Sequence, residues 1–190
     1  MAITEKVFSE AEVREIAIRV EGAEKADRNE CVGVWEEELS VRTVIKNCRG
    51  VLAKSRTKGT GNGTIKASLH MAQDLFAELY GMRQEGLKDG VIAYGTASLH
   101  PVFCVTARVL DEDDNEKLKA YPKCTIQKAL ARKVENGGEE ISEIELELTI
   151  MPDDFGNGLY EAVVTDLTDE ELKSKWMEEF KPEMARVVEI

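Results

Sequence analysis

The chain has 190 residues, 43% of them hydrophobic, and a formal net charge of −12. That length makes one domain with a core large enough to stand without disulfide or metal staples, and the apolar content excludes a disordered chain. The acid excess speaks against a protein that grips nucleic acid over its whole surface, and no run approaches the ~18 apolar residues of a membrane span. The opening MAITEKVFSEAEVREIAIR has no signal-peptide core, so the chain is expected to stay where it is made.

The first element is ambiguous. In SEAEVREIAIRV (residues 9–20), Ser9 and Glu12 would make a capping box for a helix with Val13, Ile16, Ala17 and Val20 on one face. Ile16, Ile18 and Val20 also alternate, and the strand is the preferred reading. From Val32 the chain reads β. In LSVRTVIK, Leu39, Val41, Thr43 and Ile45 alternate with Ser40, Arg42, Val44 and Lys46. CRGVLA and a glycine-rich loop follow, then TIKASLHM, with Ile65, Ala67, Leu69 and Met71 on one side. AQDLFAELY (72–80) is a helix with Leu75, Phe76, Leu79 and Tyr80 in a stripe and Gly81 as its stop.

HPVFCVTARVL is a strand, DEDDN (111–115) a turn and LKAYPKCTIQK the return strand, with Pro122 marking an edge or a bulge. EISEIELELTI alternates most strictly. Ile144, Leu146, Leu148 and Ile150 face a core, while Glu143, Glu145 and Glu147 line the other side. PDDFGNG is a turn and LYEAVVT a strand. Thr168 and Glu171 form a capping box for DEELKSKWMEEF, whose Leu172, Trp176 and Phe180 share a face, and Pro182 ends it before the tail MARVVEI. The expected fold is mainly β (α+β): an antiparallel sandwich or barrel with one central and one C-terminal helix, because the strands come in runs. Residues 1–190 form one domain, with a flexible basic arm at 48–63 and a C-terminal helix and tail at 168–190.

Charge is segregated. Between Leu39 and Gln73 there is no Asp or Glu, but seven bases: Arg42, Lys46, Arg49, Lys54, Arg56, Lys58 and Lys66. The rest of the chain keeps 18 bases against 37 acids, a balance of −19. Such a basic element suits docking on an acidic surface. Its glycines, Gly59, Gly61 and Gly63, do not make a phosphate loop. A Walker loop needs Lys and Ser/Thr after the last glycine, whereas Gly63 is followed by Thr64 and Ile65. The dinucleotide spacing G-x-G-x-x-G is absent too.

No catalytic, metal or cofactor set emerges. Glu143, Glu145 and Glu147 on one strand face share one wet environment, whereas acid–base pairs need two different ones. His70 and His100 have no local nucleophile signature. Asp111, Glu112, Asp113 and Asp114 miss the calcium-loop register. Cys31, Cys48, Cys104 and Cys124 form no C-x-x-C pair and read as reduced core or half-buried thiols.

The order CRGVLAKSRTKGTGNGTIKASLHM, DLFAELYGM, VIAYGTASLHPVFCVTARVLDEDDNEKLKAYPKC and ARKVENGGEEISEIELELTIMPDDFGNGLYEAVV resembles the major tail (tail tube) proteins of long-tailed bacteriophages and prophages. The resemblance runs from about Val41 to Phe180 and rests on structural, not catalytic, motifs. It implies a sandwich or barrel flanked by a helix, in hexameric rings that stack into a hollow tube through which DNA leaves the virion. It implies assembly in the host bacterial cytoplasm into the virion tail, and tape measure, tail terminator and distal tail proteins as partners. Genomic DNA would pass through without tight binding, and no membrane is involved. The glycine-rich segment becomes a ring-stacking arm, with Lys54, Arg56, Lys58, Gly59, Gly61 and Gly63, and Glu143, Glu145 and Glu147 become a candidate acidic lumen face. The alternative is a discrete oligomeric module that uses the basic 39–73 segment to bind nucleic acid or an acidic protein.

Overall fold

The computed structural model describes residues 7–134, 136–137 and 141–187; the first six residues of the expected domain and the last three of its tail lie outside the described residues. In chain order the elements are β1 (Glu12–Val20), β2 (Asp27–Asn29), β3 (Val32–Cys48), β4 (Val51–Leu69), α1 (Gln73–Leu79), β5 (Phe103–Leu110), β6 (Glu116–Ile126), β7 (Ile144–Met151), β8 (Tyr160–Val163), α2 (Glu170–Glu179) and a closing 3-10 turn, Pro182–Ala185. Every strand pairing is antiparallel, in the order β2-β1-β5-β6-β7-β4-β3, with β8 added to β6. The mainly β, antiparallel organisation with two helices is as the sequence led us to expect. The sheet is open, not a closed barrel.

It is nonetheless strongly curled. β3 is an edge strand three places from β6, yet the Trp35 ring lies 5.9 Å from that of Tyr121 on β6. Inside the curl, Ile16 and Ile18 (β1), Ile65 and Leu69 (β4), Val105 and Val109 (β5) and Leu148 and Ile150 (β7) pack on Leu75, Phe76, Leu79 and Tyr80 of α1 and its end. That packing holds α1, since its N-cap Ala72 offers no side-chain acceptor. Gly81, at φ +58, ends the helix with its α-carbon against the Leu99 backbone.

α2 packs on the opposite face of β1, β5 and β6. Leu172, Trp176, Met177 and Phe180 bury against Ala17, Cys104, Leu118 and Ala120, and the Trp176 indole N–H donates to the Lys119 carbonyl at 3.1 Å. Burying each large side chain contributes roughly 2 kcal/mol. Both faces of β1 and β5 are therefore covered, and Ile16, Ala17 and Ile18 are buried in succession. This continuous burial is why β1 does not alternate cleanly and mimics a helix. The α2 cap sits one residue later than expected: the Asp169 carboxylate, not Thr168, accepts from the Glu171 and Leu172 amides at 3.0 Å. Aspartate competes well for that role because its charge also suits the positive end of the helix.

Pro122 lies at a bulge, not an edge. Between Phe103↔Cys124 and Val105↔Tyr121, β6 carries one extra residue, and here its other neighbour changes from β8 to β7. A residue without an N–H costs no ladder bond in such an interval.

Candidate functional site

The glycine-rich segment is not a connecting loop. Residues 51–63 belong to β4, which pairs with β3 as a hairpin out to a two-residue turn at Arg49 and Gly50. Both turn residues have positive φ, +52 and +79, and Cys48 pairs with Val51 across them. That is the turn whose twist matches paired strands, and glycine at its second position suits it. Beyond Gly63, β4 has left β7, so residues 41–59 form a lone two-stranded ribbon. At ~3.3 Å per residue it reaches roughly 25 Å from the body.

The root of the ribbon explains the glycines. Between Leu39↔Gly63 and Val41↔Gly59, β4 carries four steps to two in β3. Gly61 takes up this bulge at φ +76, with Thr60 Oγ1 donating to the Ser40 carbonyl at 3.0 Å. A Cβ on Gly61 would lie 2.7 Å from the Gly156 carbonyl oxygen and 2.9 Å from Pro152 Cβ, and one on Gly63 would strike the Glu38 carbonyl. Gly59 faces open space. Gly61 and Gly63 are thus steric requirements of a close backbone approach.

The register gives the ribbon two unlike faces. Val41, Thr43, Ile45, Ser55 and Thr57 share one, and Thr43 and Thr57 join hydroxyls at 2.9 Å. Arg42, Val44, Lys46, Lys54, Arg56 and Lys58 share the other. Arg42 stands directly across from Lys58, and Lys46 from Lys54. Like charges directly opposite in a sheet destabilise it. No described carboxylate pairs with any of these five bases or with Arg49, and all six are exposed. Val41, Val44, Ile45, Val51 and Leu52 are exposed as well, so the alternation seen in β3 faces no core of its own chain.

The three glutamates assigned to one face do not form an acid-only strip. Glu145 is bound to Lys128 at 2.6 Å, which holds its carboxyl below the usual range. Glu147 stands opposite Lys66, which also lies 3.7 Å from Glu36. Glu143 precedes β7, accepts from the Ser68 hydroxyl and lies against Gly33. The face gains Glu36 and Glu38 of β3, which the sequence did not assign to it. Only the β3–β4–β7 register puts them beside Lys66 and Glu147.

The histidines have structural surroundings. His100 uses its two ring nitrogens at 3.0 Å from the Ile126 carbonyl and 3.2 Å from the Tyr94 hydroxyl, while His70 is exposed. Asp111 closes its hairpin by accepting from the Asp113 and Asn115 amides. Cys104 and Cys124 are buried, but Cys31 and Cys48 are exposed, against the core or half-buried expectation; Cys48 rides near the ribbon tip. Among the described residues no three His, Cys, Asp or Glu side chains converge for a metal, and no helix is long and apolar enough to cross a membrane.

Compared with known proteins, the chain matches no family model and no curated protein sequence.

Proposed function

We propose that this chain is a structural subunit that assembles with copies of itself into rings stacked as a hollow tube, in the manner of a phage tail tube protein. The observation that carries the reading is the ribbon. A two-stranded arm with like charges paired across it, and exposed aliphatics along it, is a poor structure for an isolated molecule. It becomes a favourable one when an acidic, partly apolar surface covers it. The rest of the chain, at −19, supplies such a surface on a second copy.

The open sheet supports the same reading, because β3 offers a bare edge that a neighbour's strand would satisfy. In a ring, the outer face of β3, β4 and β7 would line the bore. Its carboxylates Glu36, Glu38, Glu145 and Glu147 exceed its bases Lys66 and Lys128, which suits DNA sliding past without sticking. The virion tail as location, hexameric rings, and tape measure, terminator and distal tail proteins as partners belong to this proposal. So does an arm that docks on the next ring.

The experiment is negative-stain electron microscopy of the purified protein across a concentration series, beside light scattering. Hollow tubes, or stacked rings with a central hole, are expected. A monomer at every concentration, with or without added DNA, would overturn self-assembly as an intrinsic property. A second reading is favoured by the same basic face: a discrete module whose ribbon binds nucleic acid. It predicts salt-dependent DNA binding by the monomer, where the tube reading predicts none.

A further inference from the structure

The start of β1 and the start of β3 flank a cleft of about 480 Å³, lined by Glu10, Ala11 and Val13 on one side and Val32, Val34 and Trp35 on the other. No ladder bonds join the two strands. One buried ammonium joins the two sides. Lys119 of β6 is 1% exposed, and its Nζ lies 2.8 Å from Glu10, 2.6 Å from Glu37 of β3 and 3.5 Å from Glu161 of β8. Lys117 adds a 3.1 Å contact to Glu10 and stands 4.4 Å over the Phe8 ring.

Residues 7–10 are held in a distinctive way. Their backbone makes no hydrogen bond among the described residues; the first is the Ala11 amide to the Leu110 carbonyl, at 2.8 Å. Side chains alone fasten them: Glu10 to two lysines, and Phe8 against the core.

We propose that residues 7–11 are a releasable strap across the β1–β3 cleft, latched by Glu10 on Lys119 and able to open while the rest of the fold stays intact. The charge arrangement makes opening separable. When Glu10 leaves, Lys119 keeps Glu37 and Glu161, so no bare cation is stranded in the interior, and the Glu10 carboxylate passes to water. Burial alone would push the Lys119 ammonium down, but its bonds to Glu10 and Glu37 prevail and hold it above the ordinary range. Glu37 also accepts from the Trp35 indole at 3.4 Å and lies two residues before Leu39, where the ribbon root begins. The latch thus joins the strap to the base of the arm through one side chain.

Hydrogen–deuterium exchange of the full chain across a sub-denaturing urea series tests this, with the Ala11 amide reporting the strap and those of residues 105–107 reporting global opening. In the parent, exchange at Ala11 should be nearly independent of urea while that at 105–107 accelerates with it. Glu10→Gln removes the charge and keeps the shape, and it leaves Lys119 paired. It should speed exchange at Ala11 by about tenfold or more, the scale of a lost charge-assisted hydrogen bond. Because the latched ground state itself is weakened, it should speed 105–107 by no more than the same factor and lower the thermal midpoint slightly. Lys117→Met should act in the same direction. Equal urea dependence at Ala11 and at 105–107 in the parent would show that the strap opens only with the whole fold, and no change at Ala11 in the Glu10→Gln variant would show that Glu10 does not hold it. Either result overturns the proposal. Lys119→Met is the wrong first variant, since it strands Glu37 and Glu161 beside an apolar side chain.

Discussion

Gly158 lies against the backbone of Gly61, close enough that a Cβ on Gly158 would meet the Gly61 carbonyl oxygen and stand 2.9 Å from its carbon. The β7–β8 loop therefore sits directly on the bulge from which the ribbon departs, and the two glycines fix the arm's root by contact.

Gly158→Ala and Gly61→Ala should each cost about 1–3 kcal/mol, because backbone on the facing segment must move, and at Gly61 the positive φ adds strain. Gly59→Ala meets open space and should stay within about 0.5 kcal/mol of the parent. Urea unfolding of the three variants measures the contrast. Equal effects at Gly59 and Gly61 would count against a steric role for the glycines.

The same loop carries an acid-sensitive turn. The Asp153 carboxylate accepts from the Phe155 and Asn157 amides at 2.9 Å and from the Tyr160 hydroxyl at 2.6 Å. Burial would raise its pKa, but these donors outweigh burial and hold it below the ordinary value. A depressed folded-state pKa gives stability that is present above the unfolded pKa of about 3.9 and lost as pH falls through the folded value. Asp153→Asn should lower the thermal midpoint at pH 7 and flatten its decline below pH ~4. A parallel decline in parent and variant would assign the acid sensitivity elsewhere.

The thiols should divide by exposure. Cys31 and Cys48 are open to solvent, whereas burial pushes the Cys104 thiol up to about 12 and Cys124 well above its usual range. A thiol reagent at pH 8 should modify two cysteines quickly in the native protein and the other two only on denaturation. Four equal rates would contradict the burial of β5 and β6.

The ribbon's charges can be tested apart from its fold. Lys54, Arg56 and Lys58 changed together to serine remove bases that oppose Arg42 and Lys46 or lie between them, so the monomer's thermal midpoint should hold or rise slightly. Assembly should weaken, seen as shorter tubes or a higher critical concentration in electron microscopy. Unaltered tubes would show that these charges are not the inter-subunit contact.

Much of the fold could be read from local pattern. α1, α2, β5 to β8 and the buried row Leu146, Leu148 and Ile150 follow from periodicities of 3.6 and 2, which only require that one face meet a core. The turn at Arg49 and Gly50 carried a signal, glycine between two β-forming runs, that the brighter cluster at Gly59, Gly61 and Gly63 obscured. β1 was ambiguous because both of its faces are covered.

By itself, the sequence determined the antiparallel β class, the two helices and the acid-free basic segment, since composition and periodicity are local properties. Tertiary structure alone decided that this segment is a paired ribbon with Arg42 facing Lys58 and Lys46 facing Lys54. It also placed Glu36 and Glu38 on the face with Glu145 and Glu147, and enclosed Lys119 among Glu10, Glu37 and Glu161. The physical reason is register. A shift of one residue between strands would preserve every local pattern and exchange every one of these partners.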